Sequence, residues 1–194
     1  MSQPRPERGG QPAMVHHPGP GVSTPGPLGP VALPSIGAKG QILTQGVIAG
    51  LIATTVFVIY LAITFAVTHG SPWTPFNLIA HSFWRGAPTD GAFSIGALLL
   101  GLVATFLVGV VLALIFAVVM ANIVIGPLEI ILVTTIVSNV LWVLGHYLIW
   151  PALDAEAAEE FTHLTAWLGH ALYGLVVGVV LAVMSAGRRP SPRA

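Results

Sequence analysis

The chain has 194 residues, of which 55% are apolar and only 7% are charged, and its mean hydropathy is +0.86. Soluble domains carry about 25% charged residues, so this composition indicates an integral membrane protein. The seven basic and seven acidic residues cancel, which argues against nucleic-acid binding, and the lack of cysteine excludes disulfides and thiolate metal sites.

The first 40 residues are rich in proline and glycine and show almost no periodic apolar pattern. Such a segment buries too little apolar surface to offset its chain entropy, so we predict a disordered tail over residues 1–40. The first apolar run begins only near Ile42, too late for a secretory signal. We therefore expect that run to be retained as a membrane anchor.

Four nearly uncharged runs follow, at about residues 43–67, 92–121, 127–150 and 161–186. Each is longer than the roughly 20 residues that a helix needs to cross a hydrocarbon core of about 30 Å. Backbone amides in lipid must be hydrogen-bonded within their own segment, so each run is predicted to be helical. The short connections favour an all-α, up-and-down four-helix membrane bundle, about residues 41–187.

The distribution of basic residues predicts the orientation of this bundle. Lys39 precedes the first span, and Arg188, Arg189 and Arg193 follow the fourth in a basic tail over residues 188–194. The opposite side carries only Arg85. Because basic residues favour the cytoplasmic side, we expect a multi-pass protein of the inner (plasma) membrane with both termini in the cytoplasm.

The first outer loop contains a short helical pattern at about residues 75–85. Pro75 suits a first helical position, and apolar residues then recur at helical spacing, with Asn77, His81 and Arg85 on the other face. This pattern predicts a helix that lies in the membrane interface, with its apolar side toward lipid or the bundle.

Small residues recur at every fourth position of the second span, and shorter rows occur in the first and fourth spans. Helices in lipid associate through close backbone approach, which such rows permit. The predicted helix-packing positions are Gly101, Thr105, Gly109, Ala113, Gly174 and Gly178.

Histidines concentrate on the predicted outer side, where His146 lies near the end of the third span and His163 and His170 lie at the start of the fourth. In an antiparallel hairpin the depth of His146 falls between those of His163 and His170, so the three imidazoles are expected to converge. Glu160 is close enough in sequence to join them.

Four interpretations of this cluster are open from the sequence. The histidines pack the bundle through interhelical hydrogen bonds, or His146, His163, His170 and Glu160 bind a divalent transition metal such as zinc or copper. Alternatively His146 and His170 are the axial ligands of a haem b, or the group titrates near neutral pH as an outer sensor.

Two groups of residues resemble a known family. They are Ser71-Pro72-Trp73 with Asn77-Leu78-Ile79-Ala80 in the first loop, and Gly169-His170-Ala171-Leu172-Tyr173-Gly174 with Gly178 in the last span. Over about residues 43–186 the chain resembles small four-span bacterial membrane proteins of unknown function, some of which carry a sodium:proline symporter label. The resemblance implies a small integral membrane protein without a defined activity, and four spans lack the inverted repeats of such carriers.

The sequence contains no nucleophile elbow, phosphate loop or dinucleotide fingerprint, so we do not expect an enzyme. The preferred prediction is a structural or partner-binding membrane subunit without a cofactor, embedded in the lipid bilayer as a homo-oligomer or within a larger complex. The alternatives are a metal- or haem-binding redox subunit that uses the histidines, and a small transporter or pore formed by an oligomer.

Overall fold

A computed structural model describes residues 36–123 and 126–186. The secondary structure in these two ranges is helical, and four helices are long and apolar enough to cross a membrane. The prediction of an all-α, four-span membrane protein is therefore confirmed. Residues 1–35 and 187–194, on which most of the predicted disordered tail and the whole basic tail fall, lie outside the described ranges.

The helices follow one another directly or through connections that are short except for residues 82–94. In chain order they are α1 (Ile36–His69), α2 (Thr74–His81), α3 (Ile95–Asn122), α4 (Pro127–Leu144), a π-helical turn (Gly145–Ile149), α5 (Trp150–Leu153), α6 (Ala155–Glu160) and α7 (His163–Ala186). The first helix thus begins within the last residues that we assigned to the tail. The third span runs from α4 through the π-helical turn to Leu153, beyond the expected end at residue 150.

The π-helical turn lies just before Pro151. Proline has no N–H to donate, and its ring clashes with the carbonyl four residues earlier in a regular α-helix. The chain widens at this point, and the Trp150 N–H donates to the carbonyl of Gly145, five residues back. His146 lies inside this wide turn, a type of feature that is frequent at functional sites.

The four spans pack in the order α3, α1, α7, α4. Neighbours are antiparallel: Gly46 of α1 faces Leu114 of α3, and Gly50 faces Val110, so residue numbers fall along one helix as they rise along the other. A methyl group at Gly50 would lie 2.7 Å from the Val110 Cα. Glycine therefore sets how closely α1 and α3 approach.

The packing positions named from the sequence lie at three different contacts. Gly101 lies against the Phe76 backbone of α2, and Gly109 lies against Thr54 of α1. Gly174 and Gly178 lie against α4, where added methyl groups would come within 2.7 Å of backbone atoms of Thr134 and Ile131. In the same row Ala113 is fully buried, and Thr105 donates to the Gly101 carbonyl of its own helix.

Side-chain hydrogen bonds to backbone carbonyls connect α7 to the other three spans. They run from Gln45 of α1 to Met184 at 3.2 Å, from Ser138 of α4 to His170 at 2.8 Å, and from the Tyr173 hydroxyl to Gly109 of α3. Polar contacts of this kind are the second means by which helices associate in lipid.

The short helix α2 is embedded in the fold. Seven of its eight residues are buried, including Asn77 and His81 of the face that we assigned to the polar side. The reason is that both faces of α2 meet protein: one lies on α3 at Gly101, and the other faces α6 and the loop before it. Arg85 lies beyond the end of the helix at His81, and not within it.

Candidate functional site

A cavity of about 350 Å³ lies between α3 and α4, beneath α2. It exists because α3 and α4 stand at the two ends of the packing order and barely contact each other, whereas α1 and α7 form the wall behind them. The lining is mainly apolar, and its members include Phe57, Leu61, Phe83, Leu112, Trp142, Ile149, Trp150, Phe161 and Tyr173. The volume falls in the usual range of small-molecule sites, about 300–1,000 Å³.

Three residues of this lining each have one buried polar atom without a hydrogen-bond partner. These atoms are the Thr54 hydroxyl of α1, the Trp142 indole Nε1 of α4 and the His146 Nδ1 of the π-helical turn. Thr74, Asn77 and Asn139, which do not line the cavity, also have one such atom each, so these atoms do not by themselves mark the cavity as a site.

His146 and His163 form a pair at the α2 end of the bundle. The His146 Nε2 and the His163 Nδ1 are 2.7 Å apart, so one of these nitrogens donates a hydrogen bond to the other. His146 is 5% exposed and lines the cavity, whereas His163 is exposed on the outside of the fold. The pair therefore connects the cavity wall to the protein surface.

His170 also lines the cavity but has different partners. Its Nδ1 donates to the Ala166 carbonyl of its own helix at 2.8 Å, and its ring lies edge-on to Phe57 of α1. Glu160 is exposed at the end of α6. Among the described residues, no three His, Asp or Glu side chains are placed to hold one metal ion. The predicted ligand set of His146, His163, His170 and Glu160 is thus not assembled in this arrangement.

A second polar cluster joins the two loops at the same end of the bundle. The Asp154 carboxylate accepts a hydrogen bond from the His81 Nδ1 at 2.7 Å, forms an ion pair with Arg85 and accepts from the Ala157 N–H that begins α6. The Arg85 guanidinium also donates to the Leu153 carbonyl, and Ser82 accepts from the Trp150 indole at 3.0 Å. We call Asp154, His81 and Arg85 the loop clamp.

The loop clamp keeps its carboxylate ionised. Burial by itself would raise the pKa of Asp154, but the hydrogen bonds from His81, the Ala157 N–H and Arg85 together lower it below its ordinary value. The Asp154 side chain is 1% exposed, so the charge is stabilised by these donors instead of by water.

Sequence reasoning identified His146, His163 and His170 but missed Thr54, Trp142 and the loop clamp. Trp142 precedes His146 by four residues, a spacing that places both on one face of a helix and would have revealed it. Asp154 lies 73 residues along the chain from His81, and no local pattern connects the two.

Comparisons of the chain with known protein families, with curated proteins and with solved structures find no match. The function is therefore argued from the geometry of this multi-pass membrane protein alone.

Proposed function

We propose that this chain is a partner-binding membrane protein whose partner is a small apolar molecule, held in the cavity between α3 and α4. The observation that carries the proposal is the mainly apolar cavity of about 350 Å³, which the near absence of contact between α3 and α4 leaves between the spans. Apolar walls with a few convergent polar groups are the usual features of a small-molecule site.

A small molecule fits this cavity better than a helix of a partner protein does. A docking helix needs a long groove lined at intervals of three and four residues, whereas this space lies beneath α2 and is bounded by Ser82 and Phe83 at one end. A molecule dissolved in the bilayer can approach between α3 and α4 without crossing the polar loops.

The test is photolabelling of the full chain in lipid nanodiscs with a diazirine-bearing alkane. We expect saturable labelling of Phe57 and Leu61, which form the α1 wall of the cavity. Ala104 lines the cavity from α3, so Ala104→Trp should fill the space and reduce labelling of that wall several-fold.

The matched control is Val103→Trp, because Val103 is 65% exposed on the same helix and does not line the cavity. It should leave labelling of the α1 wall unchanged. Equal labelling in the Ala104→Trp variant and the unmodified chain would contradict the proposal.

The haem alternative has one observation in its favour, which is that His146 and His170 line the same cavity. It requires each imidazole to coordinate one iron through a nitrogen, although the His146 Nε2 is hydrogen-bonded to His163 and the His170 Nδ1 is hydrogen-bonded to the Ala166 carbonyl. A Soret band in the purified protein, lost in His170→Ala, would support this alternative over the binding of an apolar molecule.

We also propose that both termini face the cytoplasm, so that the loop clamp lies outside the plasma membrane. The bias of Lys39 and the terminal arginines toward one side supports this orientation. The chain lacks cysteine, so single cysteines can report it: an impermeant maleimide should label exposed Glu159→Cys in intact cells, and Gly40→Cys only after lysis. The opposite result would invert the orientation.

A further inference from the structure

His170 has one ring nitrogen that the fold leaves accessible. Its Nδ1 donates to the Ala166 carbonyl at 2.8 Å, whereas its Nε2 has no hydrogen-bond partner among the described residues. The Nε2 is not one of the side-chain atoms that are buried without a partner, as the His146 Nδ1 is, so part of its surface is accessible. A bound molecule can therefore reach this nitrogen.

The His170 ring lies on the face of α7 that meets the cavity. Ala166, His170 and Tyr173 are four and three residues apart, which places them on one face of the helix, and all three line the cavity. Leu168 and Leu175 are exposed on the opposite side of α7, toward lipid. Because the Nδ1 turns back to the Ala166 carbonyl, the Nε2 lies at the end of the ring that points away from the helix and into the cavity.

The other ring nitrogens of the lining are not available to a ligand. Within the part of the chain that the structure describes, the nitrogens of Trp142, His146 and Trp150 each have either a partner or no accessible surface. The His170 Nε2 is thus the ring nitrogen of this lining that is both accessible and without a partner.

The partner of the His170 Nδ1 determines what its Nε2 can bind. A carbonyl oxygen only accepts hydrogen bonds, so the Nδ1 carries the hydrogen and the Nε2 of the neutral ring is an acceptor. A second proton on the ring would place a charge among apolar walls, and no Asp or Glu is among the lining residues, all of which are described. The matching group on a ligand is therefore a neutral donor. A hydroxyl fits best, because an amide would also bury a strongly polar carbonyl.

We propose, on the basis of the function proposed above, that the bound molecule is a neutral, lipid-soluble alcohol whose hydroxyl donates a hydrogen bond to the His170 Nε2. The apolar remainder of the molecule contacts the walls to which Leu61 and Leu112 contribute. An aliphatic alcohol and a phenol both have this chemistry.

The proposal is tested by competition against the diazirine alkane in nanodiscs with four probes: dodecan-1-ol, its isomer 1-methoxyundecane, dodecane and an octyl-substituted phenol. The concentration in the lipid that halves the labelling of the α1 wall should be about fivefold lower for dodecan-1-ol than for the isomeric ether, because only the alcohol has an O–H to donate. Dodecane should compete as the ether does. The phenol and dodecan-1-ol compare the two sources of a hydroxyl, and the better competitor identifies the class of alcohol.

His170→Phe removes the acceptor and keeps an aromatic ring on α7. It should reduce the fivefold preference for the alcohol to about onefold, without changing the effect of dodecane. The matched control is His69→Phe, since His69 is exposed at the end of α1 and does not line the cavity. An alcohol preference that survives in His170→Phe would overturn the role of His170.

A measurement on the unmodified chain keeps the proposal testable if His170→Phe does not fold. With ¹⁵N in the imidazoles of the seven histidines, dodecan-1-ol should shift the resonance of an unprotonated ring nitrogen that 1-methoxyundecane leaves in place. Equal effects of alcohol and ether in both assays would overturn the alcohol inference and leave the binding of an apolar molecule intact. If no probe competed, and Ala104→Trp changed nothing, the proposed function itself would fail.

Discussion

His81 and His146 lie at the same end of the bundle, and each is only 5% exposed. His81 hydrogen-bonds the Asp154 carboxylate, and neither of these two residues has a buried side-chain atom without a partner. His146 hydrogen-bonds His163 through one nitrogen, while its other nitrogen is buried without a partner. Two imidazoles with equal burial thus differ in their partners: His81 pairs with a buried carboxylate, and His146 pairs with an exposed histidine and has a buried nitrogen without a partner.

This difference indicates what each region does. A buried carboxylate with several hydrogen-bond donors holds its loops in one arrangement. If the loops moved, the charge would lose donors that water cannot replace at a buried position. A buried nitrogen without a partner costs about 1–3 kcal/mol, so the hydrogen bonding of His146 stabilises its region less than that of His81 does. The loop clamp is therefore structural, and the cavity is the candidate site.

The largest effect is expected from Asp154→Ala. It removes the group that His81, Arg85 and the start of α6 share, and it should lower the free energy of unfolding by about 3 kcal/mol. This loss lies at the low end of the range for breaking a buried ion pair, because the Arg85 side chain is 57% exposed and can be solvated. Unfolding in mixed SDS micelles, followed by circular dichroism, measures it.

The control is Glu159→Ala, an exposed carboxylate of the neighbouring helix α6, which should change the free energy of unfolding by less than about 0.5 kcal/mol. Similar losses in the two variants would mean that the loop clamp does not hold the loops together.

The two histidines can be compared directly by the same substitution. His81→Leu leaves the buried Asp154 carboxylate short of a donor and should cost about 2 kcal/mol. His146→Leu removes one hydrogen bond to an exposed partner together with a nitrogen that has none, so the two effects offset each other within about 1 kcal/mol. The measurement compares the free energies of unfolding of His81→Leu and His146→Leu.

A larger loss in His146→Leu than in His81→Leu would reverse the comparison. It would mean that the pair with His163 stabilises the bundle, and that His146 belongs to the packing of the fold.

Most of the fold follows from the sequence because a long apolar run in lipid can satisfy its backbone hydrogen bonds within its own segment only as a helix. The positions of Gly109 and Gly174 are also readable, since small residues mark close helix contacts. The depth argument placed His146 near His163, and the structure pairs these two residues at 2.7 Å. The orientation of the His170 ring could not be predicted in this way, because it depends on side-chain rotation against Phe57.

The rest of the site depends on contacts that no local pattern records. The cavity arises from the packing order of the spans, which leaves α3 and α4 apart, and four similar apolar helices can pack in several orders. The loop clamp pairs His81 with Asp154 across 73 residues. Both faces of α2 are buried because that pairing brings the second loop over it, so protein covers the face that was predicted to be polar.

Acid should weaken the loop clamp. The pKa of Asp154 is lowered in the folded protein, so its contribution to stability is complete above the unfolded pKa of about 3.9 and is lost as the pH falls below that value toward the folded pKa. Protonation leaves the side chain in place, so the effect is smaller than that of Asp154→Ala. Between pH 5 and pH 2 the free energy of unfolding should fall more steeply in the unmodified chain than in Asp154→Asn, which has no carboxylate at position 154. Parallel curves for the two proteins would contradict this prediction.

The smallest effect concerns an exposed contact between the same two loops. Thr89 donates to Glu156 at 3.1 Å in solvent, so Thr89→Val should cost about 0.5 kcal/mol or less, because water replaces the lost partner. A double-mutant cycle with Glu156→Gln should give a coupling energy near zero, whereas the cycle of His81→Leu with Asp154→Ala should exceed about 1.5 kcal/mol. Comparable coupling in the two cycles would mean that burial does not strengthen the loop clamp. Since water competes for the exposed pair and not for the buried one, burial is the variable that separates them.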